Sequence, residues 1–115
     1  MSETDVVVSP AEIPDLVCTL VRLVAPQKVD KVTPDLRLIG DLGFHSLALA
    51  ELGFTIEDLF KLEAMTPEVA MSLERVEDIV RLIGGHVEDG SISLPDTFEV
   101  NSICARYGAS WPAQG

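Results

Sequence analysis

Between Asp41 and Leu47 the chain reads Asp-Leu-Gly-Phe-His-Ser-Leu, the stretch whose residue types and spacing could do chemistry. It sets Ser46 on the first turn of an apolar helix, after a glycine-containing loop, where a hydroxyl is reachable from solvent. The bland reading of Ser46 is an N-cap, a role for which Ser is favoured and worth about 1 kcal/mol. The two readings are compatible. His45 is a poor general base for Ser46, because sequence neighbours on a helix point apart and no third group to orient the imidazole is identifiable. No catalytic residue is assigned, and an enzyme reading lacks an acid–base constellation. His86, beside Gly85, reads as a solvated helix-end residue. With two histidines, and with Cys18 and Cys104 far apart, no metal-ligand spacing is present. Cys18 reads as a small core residue, and Tyr107 and Trp111 as packing residues.

The elements that must position this stretch are helical. Ser9-Pro10-Ala11-Glu12 is a helix start, with Ser as cap, Pro at the first position and Glu three residues after the cap. Pro14 is awkward there and favours a start one turn later. Ile13, Leu16, Leu20, Leu23 and Val24 form the apolar stripe, and Pro26 ends the helix. Residues 26–45 read as a long ordered loop pinned by Leu36, Leu38, Ile39 and Leu42, a length that marks either a functional loop or a wrong assignment of elements. The next helix runs from Ser46 to about Leu62, with Leu49, Leu52, Ile56, Leu59 and Phe60 inward and Leu47, Ala50 and Phe54 outward. Gly53 within it costs about 1 kcal/mol relative to Ala. Thr66-Pro67 starts a short helix through about Met71. Val76, Ile79, Val80 and Ile83 mark a further helix that Gly84-Gly85 should stop.

The reading is therefore all-α, with no strand pattern and no internal repeat. Residues 1–9 are expected to be mobile, 10–85 to form the domain, and 86–115 to be a C-terminal extension with a short helix at about 97–107. That helix is expected to dock on the core through Val100, Ile103 and Tyr107, because so short a helix is marginal alone.

A chain of 115 residues favours one domain, and 47% hydrophobic residues can fill a core. Nineteen Asp and Glu against eight Lys and Arg give a net charge of −11. That balance argues against nucleic acid and against anionic membrane surfaces, and favours basic protein partners. From Asp41 to Asp78 nine acids face two bases, so −7 of the −11 lies in one third of the chain. No run approaches the roughly 18 apolar residues that span a bilayer. The first residues lack the basic stretch of a secretory signal, so the expected location is cytoplasmic, with both thiols reduced.

The Asp41–Leu47 stretch resembles the acyl carrier protein family, whose attachment motif reads Asp-Leu-Gly-x-Asp-Ser-Leu. Asp41, Leu42, Gly43, Ser46 and Leu47 match, and His45 replaces the usual Asp. The likeness covers roughly residues 10–84. Glu51-Leu52 and Phe60 sit where the family has its second-helix Glu-Leu and phenylalanine, Val76-Glu77-Asp78-Ile79 looks like the opening of its last helix, and the element order agrees.

The resemblance implies a four-helix bundle of three main helices and one short one, with a long first loop. It implies that Ser46 accepts 4′-phosphopantetheine from coenzyme A through a separate phosphopantetheinyl transferase, within a site formed by Asp41, Gly43 and His45. The phosphodiester would sit at the positive end of the helix dipole, and the arm's thiol would carry an acyl group as a thioester. Neutral His45 lacks the charge with which the usual Asp presents the serine to the transferase and its Mg²⁺, so altered transferase preference is the expected consequence. Glu51, Glu57 and Asp58 match positions that dock basic patches of acyl-loading and acyl-processing enzymes, with Leu47, Ala50 and Phe54 as the apolar centre. Acyl chains in the family are held among the bundle helices.

The expectation is thus a free-standing, monomeric, non-catalytic carrier without a metal, serving a polyketide or fatty-acid-like pathway. His45 and the extension depart from the housekeeping pattern and favour natural-product biosynthesis. Two competitors remain. One is a peptidyl carrier holding an aminoacyl group, and the other is a degenerate carrier that never receives the arm and acts as a docking or regulatory protein.

Overall fold

Pro14 decides where the first helix begins. Pro10–Glu12 forms a single 3-10 turn, and α1 spans Ile13–Val24, one turn later than the Ser9 cap alone would place it. Proline is tolerated in the first turn, where its missing N–H is not needed. The Ser9 N–H donates to the Glu12 carboxylate at 2.9 Å. The protein is described from a computed structural model covering residues 7–62, 69, 72–109 and 111. α1 buries Ile13, Leu16, Val17, Leu20, Val21 and Val24, while Leu23 is only half-buried. Ala25 leaves the helix in an extended conformation, as a residue before proline prefers.

α2 spans Ser46–Phe60 and α3 spans Val76–Glu88, and α1 packs against both. α2 buries Ala48, Leu52, Thr55, Ile56, Leu59 and Phe60, with Leu49 half-buried. The short helix expected over 66–71 lies, but for Val69, outside the described residues.

The Gly84-Gly85 stop is a correction. α3 passes through both glycines to Glu88, because continuing it brings Val87 against the core. A Cβ added at either glycine would meet nothing within 4 Å, so only the intrinsic cost of about 1 kcal/mol each opposes the helix. The stop lies at Gly90, in the left-handed region at φ 78°. There the Ser91 N–H donates to His86 O and the Gly90 N–H to Val87 O, which satisfies the last carbonyls. His86 therefore sits in the last helical turn and is half-buried, not solvated beyond the helix.

α4, Thr97–Ala105, opens on a reciprocal cap. The Glu99 N–H donates to Asp96 Oδ1 at 2.8 Å, and the Asp96 N–H donates to Glu99 Oε1 at 3.1 Å. It packs on α2 and buries Val100, Ile103 and Cys104 in the same core as α1 to α3. Asn101 then fastens the tail. Its Nδ2 donates to Trp111 O, and its Oδ1 accepts the Trp111 N–H.

Residues 7–9, expected to be mobile, are also held. Val8 is buried, and its N–H donates to Pro95 O at 2.8 Å. Among the described residues there is no extended strand, only isolated bridges at Val7–Asp96 and Arg37–Arg75. None of their helices is long and apolar enough to cross a membrane.

Candidate functional site

The loop before α2 is built to hold one backbone path. Leu38 and Leu42 are buried, Leu36 is half-buried, and Ile39, expected as a fourth anchor, is exposed. Ile39 lies within a turn in which the N–H groups of Asp41 and Leu42 both donate to Arg37 O, with Ile39, Gly40 and Asp41 exposed. The loop is also tied to the entrance of α3. The Leu38 N–H donates to Glu74 O at 2.9 Å, the Val76 N–H to Leu36 O at 3.1 Å, and Arg75 Nη1 to Asp35 O at 2.6 Å. Asp78 secures that entrance by accepting the N–H groups of Glu74 and Arg75. These two bonds hold its carboxyl below the usual range.

Asp41 and Gly43 shape the final approach. The Asp41 carboxylate accepts the Arg37 N–H at 2.8 Å, which closes the turn. Gly43 has φ 73°, and a Cβ there would stand 3.3 Å from Gln27 Cβ, so the position favours a residue without a side chain. Phe44 is buried and donates its N–H to Leu38 O.

His45, not Ser46, is the N-cap of α2. Its Nδ1 accepts the Ala48 N–H at 3.5 Å, a long bond, and its carbonyl accepts the Leu49 N–H at 2.8 Å. Ser46 is the first helical residue and is exposed, and among the described residues its hydroxyl makes no hydrogen bond. The cap role weighed for Ser46 therefore belongs to its neighbour. A group attached at Ser46 Oγ would lie at the N-terminal end of a 15-residue helix, whose dipole favours an anion.

The family described as "Phosphopantetheine attachment site" matches residues 15–83, well over half of the chain. The chain belongs to that family. It is a carrier, its covalent prosthetic group is 4′-phosphopantetheine, and carriers of this kind present substrates to phosphopantetheinyl transferases and biosynthetic enzymes without catalysing the chemistry themselves. No curated protein and no solved structure matches. The exposed hydroxyl of Ser46 on a helix N-terminus, without a hydrogen bond among the described residues, fits a phosphodiester of this type.

The outward face of α2 carries the other residues singled out in the carrier's sequence. Leu47 is 76% exposed and Phe54 69%, with Ala50 exposed between them. Glu51 and Asp58 are exposed and Glu57 is half-buried. Leu47, Ala50, Glu51, Phe54, Thr55 and Asp58 form one wall of an open groove of about 520 Å³, and Arg106 and Tyr107 form the other. Arg106 was missed from sequence, and Tyr107 was read there as a packing residue. The helical spacing of Cys104 and Tyr107 showed a helix but not which face of α2 its end would reach.

Behind α2, Leu38, Leu49, Leu52, Gly53, Ile56, Leu73 and Ile79 enclose an apolar gap of about 10 Å³, at or below the room one water needs. Cys18 and Cys104 are free thiols whose titration burial pushes up.

Proposed function

We propose that this carrier receives 4′-phosphopantetheine on Ser46 Oγ and shuttles thioester-bound acyl intermediates between enzymes of a polyketide or fatty-acid-like, natural-product pathway. The observation that carries the reading is an exposed hydroxyl with no hydrogen bond among the described residues, on the first turn of α2, within a chain of the attachment-site family. Once bound, the arm supplies the thiol that holds the acyl group.

The chain's own residues do the positioning. Gly43 and the Asp41-closed turn lead into His45, which caps α2 through the Ala48 N–H. The hydroxyl is left available to the transferase. Leu47, Ala50 and Phe54 offer apolar contact to a docking enzyme, and Glu51, Glu57 and Asp58 offer charge to its basic residues. The −11 net charge supports such steering at a distance. An acyl chain held inside would have to part the wall of Leu49, Gly53 and Leu73, because the gap there is smaller than the chain.

The test is intact mass before and after incubation with coenzyme A and a broad-specificity phosphopantetheinyl transferase. One phosphopantetheine is expected on the wild-type chain and none on Ser46→Ala, with both folded to equal stability within about 0.5 kcal/mol. No gain with several transferases would remove the proposal and leave the docking-protein alternative. Loading of amino acids but not acyl groups onto the modified chain would favour the peptidyl carrier.

A further inference from the structure

Two acids on the outward face of α2, Glu51 and Asp58, are already engaged by the carrier's own C-terminal segment. Tyr107 Oη donates to Glu51 Oε2 at 2.8 Å, and Arg106 Nη2 lies 3.6 Å from Asp58 Oδ2. Lys61, just beyond α2, pairs with Glu99 of α4 at 3.1 Å. The buried residues Val100, Ile103 and Cys104 anchor α4, so the turn at Arg106–Gly108 is delivered here by apolar packing and not by the polar contacts. The result is a guanidinium and a phenol laid over two carboxylates, beside the exposed apolar side chains of Leu47 and Phe54.

We propose that the C-terminal segment is a built-in competitor for the docking face. Arg106 and Tyr107 hold Asp58 and Glu51 as an incoming enzyme's basic residues would. The partner that fits is an enzyme surface with a basic side chain beside an apolar recess for Leu47 and Phe54, and it docks by displacing both contacts.

The inference rests on reading α2 as the partner face. Displacement is cheap, because Arg106 and Asp58 are each 61% exposed and such ion pairs contribute little. The phenol-to-carboxylate bond is the stronger of the two. Both side chains can swing away while α4 stays seated. Partners that bring little charge fail to displace them, so the device acts as a filter against weak binders.

Calorimetric titration of the apo chain with a broad-specificity phosphopantetheinyl transferase tests this. Arg106→Ala/Tyr107→Phe is expected to bind about three- to ten-fold more tightly than wild type, and Glu51→Gln/Asp58→Asn more weakly. Melting curves confirm that each variant is folded, and Arg106→Ala alone gives a second reading with the phenol intact. Equal or weaker affinity for the Arg106 and Tyr107 variants, or no binding by any chain, overturns the proposal. Mass gain at Ser46 is followed in the same samples. A gain with equal affinities removes the competitor and leaves the carrier reading standing. Tighter binding without a gain keeps the competitor and removes the reading of Ser46.

Discussion

Ile103→Ala asks whether α4 folds as one unit with the bundle. Ile103 is 4% exposed and lies in the same core as α1 to α3. Truncation removes three methylene-sized groups at about 0.8 kcal/mol each, and the partly relaxed cavity adds roughly another 1 kcal/mol. The expected loss is about 3 kcal/mol, from a total of roughly 6–17 kcal/mol for a chain of this size. That corresponds to a fall in Tm of about 10–15 °C. Phe98→Ala, on the same helix but 68% exposed, should change stability by less than about 0.5 kcal/mol.

Urea unfolding provides the assay, followed in parallel by far-UV circular dichroism for the bundle and by Trp111 fluorescence for the tail. Trp111 is the chain's one tryptophan and is buried beneath the Asn101 contacts. Both signals should move together to lower urea. If only the fluorescence midpoint moves while the dichroism midpoint holds, α4 melts as a separate appendage, and the argument from shared burial is wrong.

Gly43→Ala should cost about 1–3 kcal/mol in denaturant unfolding, since it forces a side chain into φ 73° and against Gln27. Burial first, and then the bond to Glu51, push the Tyr107 phenol above its ordinary 10. Glu51→Gln should therefore shift its absorbance titration downward while leaving it raised, a clean readout from the only tyrosine in the chain. Asp78 titrates below its ordinary 3.8, held there by the Arg75 and Glu74 N–H groups. Its contribution is thus present above that value and lost as pH falls through the lower, folded one. Stability measured against pH should fall more steeply below pH 3.8 in the wild type than in Asp78→Asn.

The three main helices were legible because their stripes repeat at helical spacing, and the first also because its start carries proline. What failed was local punctuation. Gly84-Gly85 looks like a stop, yet the helix runs through both and brings Val87 against the core, and Gly90 does the stopping. Ile39 matches its neighbours in type, but the turn closed on Arg37 O points it outward. At the site, the position of Ser46 on the first helical turn was legible from the apolar stripe that follows it. That His45 takes the cap was not, since Ser outranks His as a cap on propensity and only the turn geometry reverses the order. Arg106 could not be placed, because it lies 48 positions from Asp58 and the meeting depends on how α4 crosses α2.

The Val8–Pro95 hydrogen bond joins residues about 87 apart in sequence, and closing a loop of that length from an open chain costs on the order of 4 kcal/mol. One such bond cannot offset that cost, so it forms only after collapse of the helices has brought the two segments together. A contact made that late is absent from the rate-limiting assembly step, and strengthening it slows unfolding more than it speeds folding. The seam between Val8 and the entrance of α4 is therefore a place where added stability would lengthen the lifetime of the folded carrier.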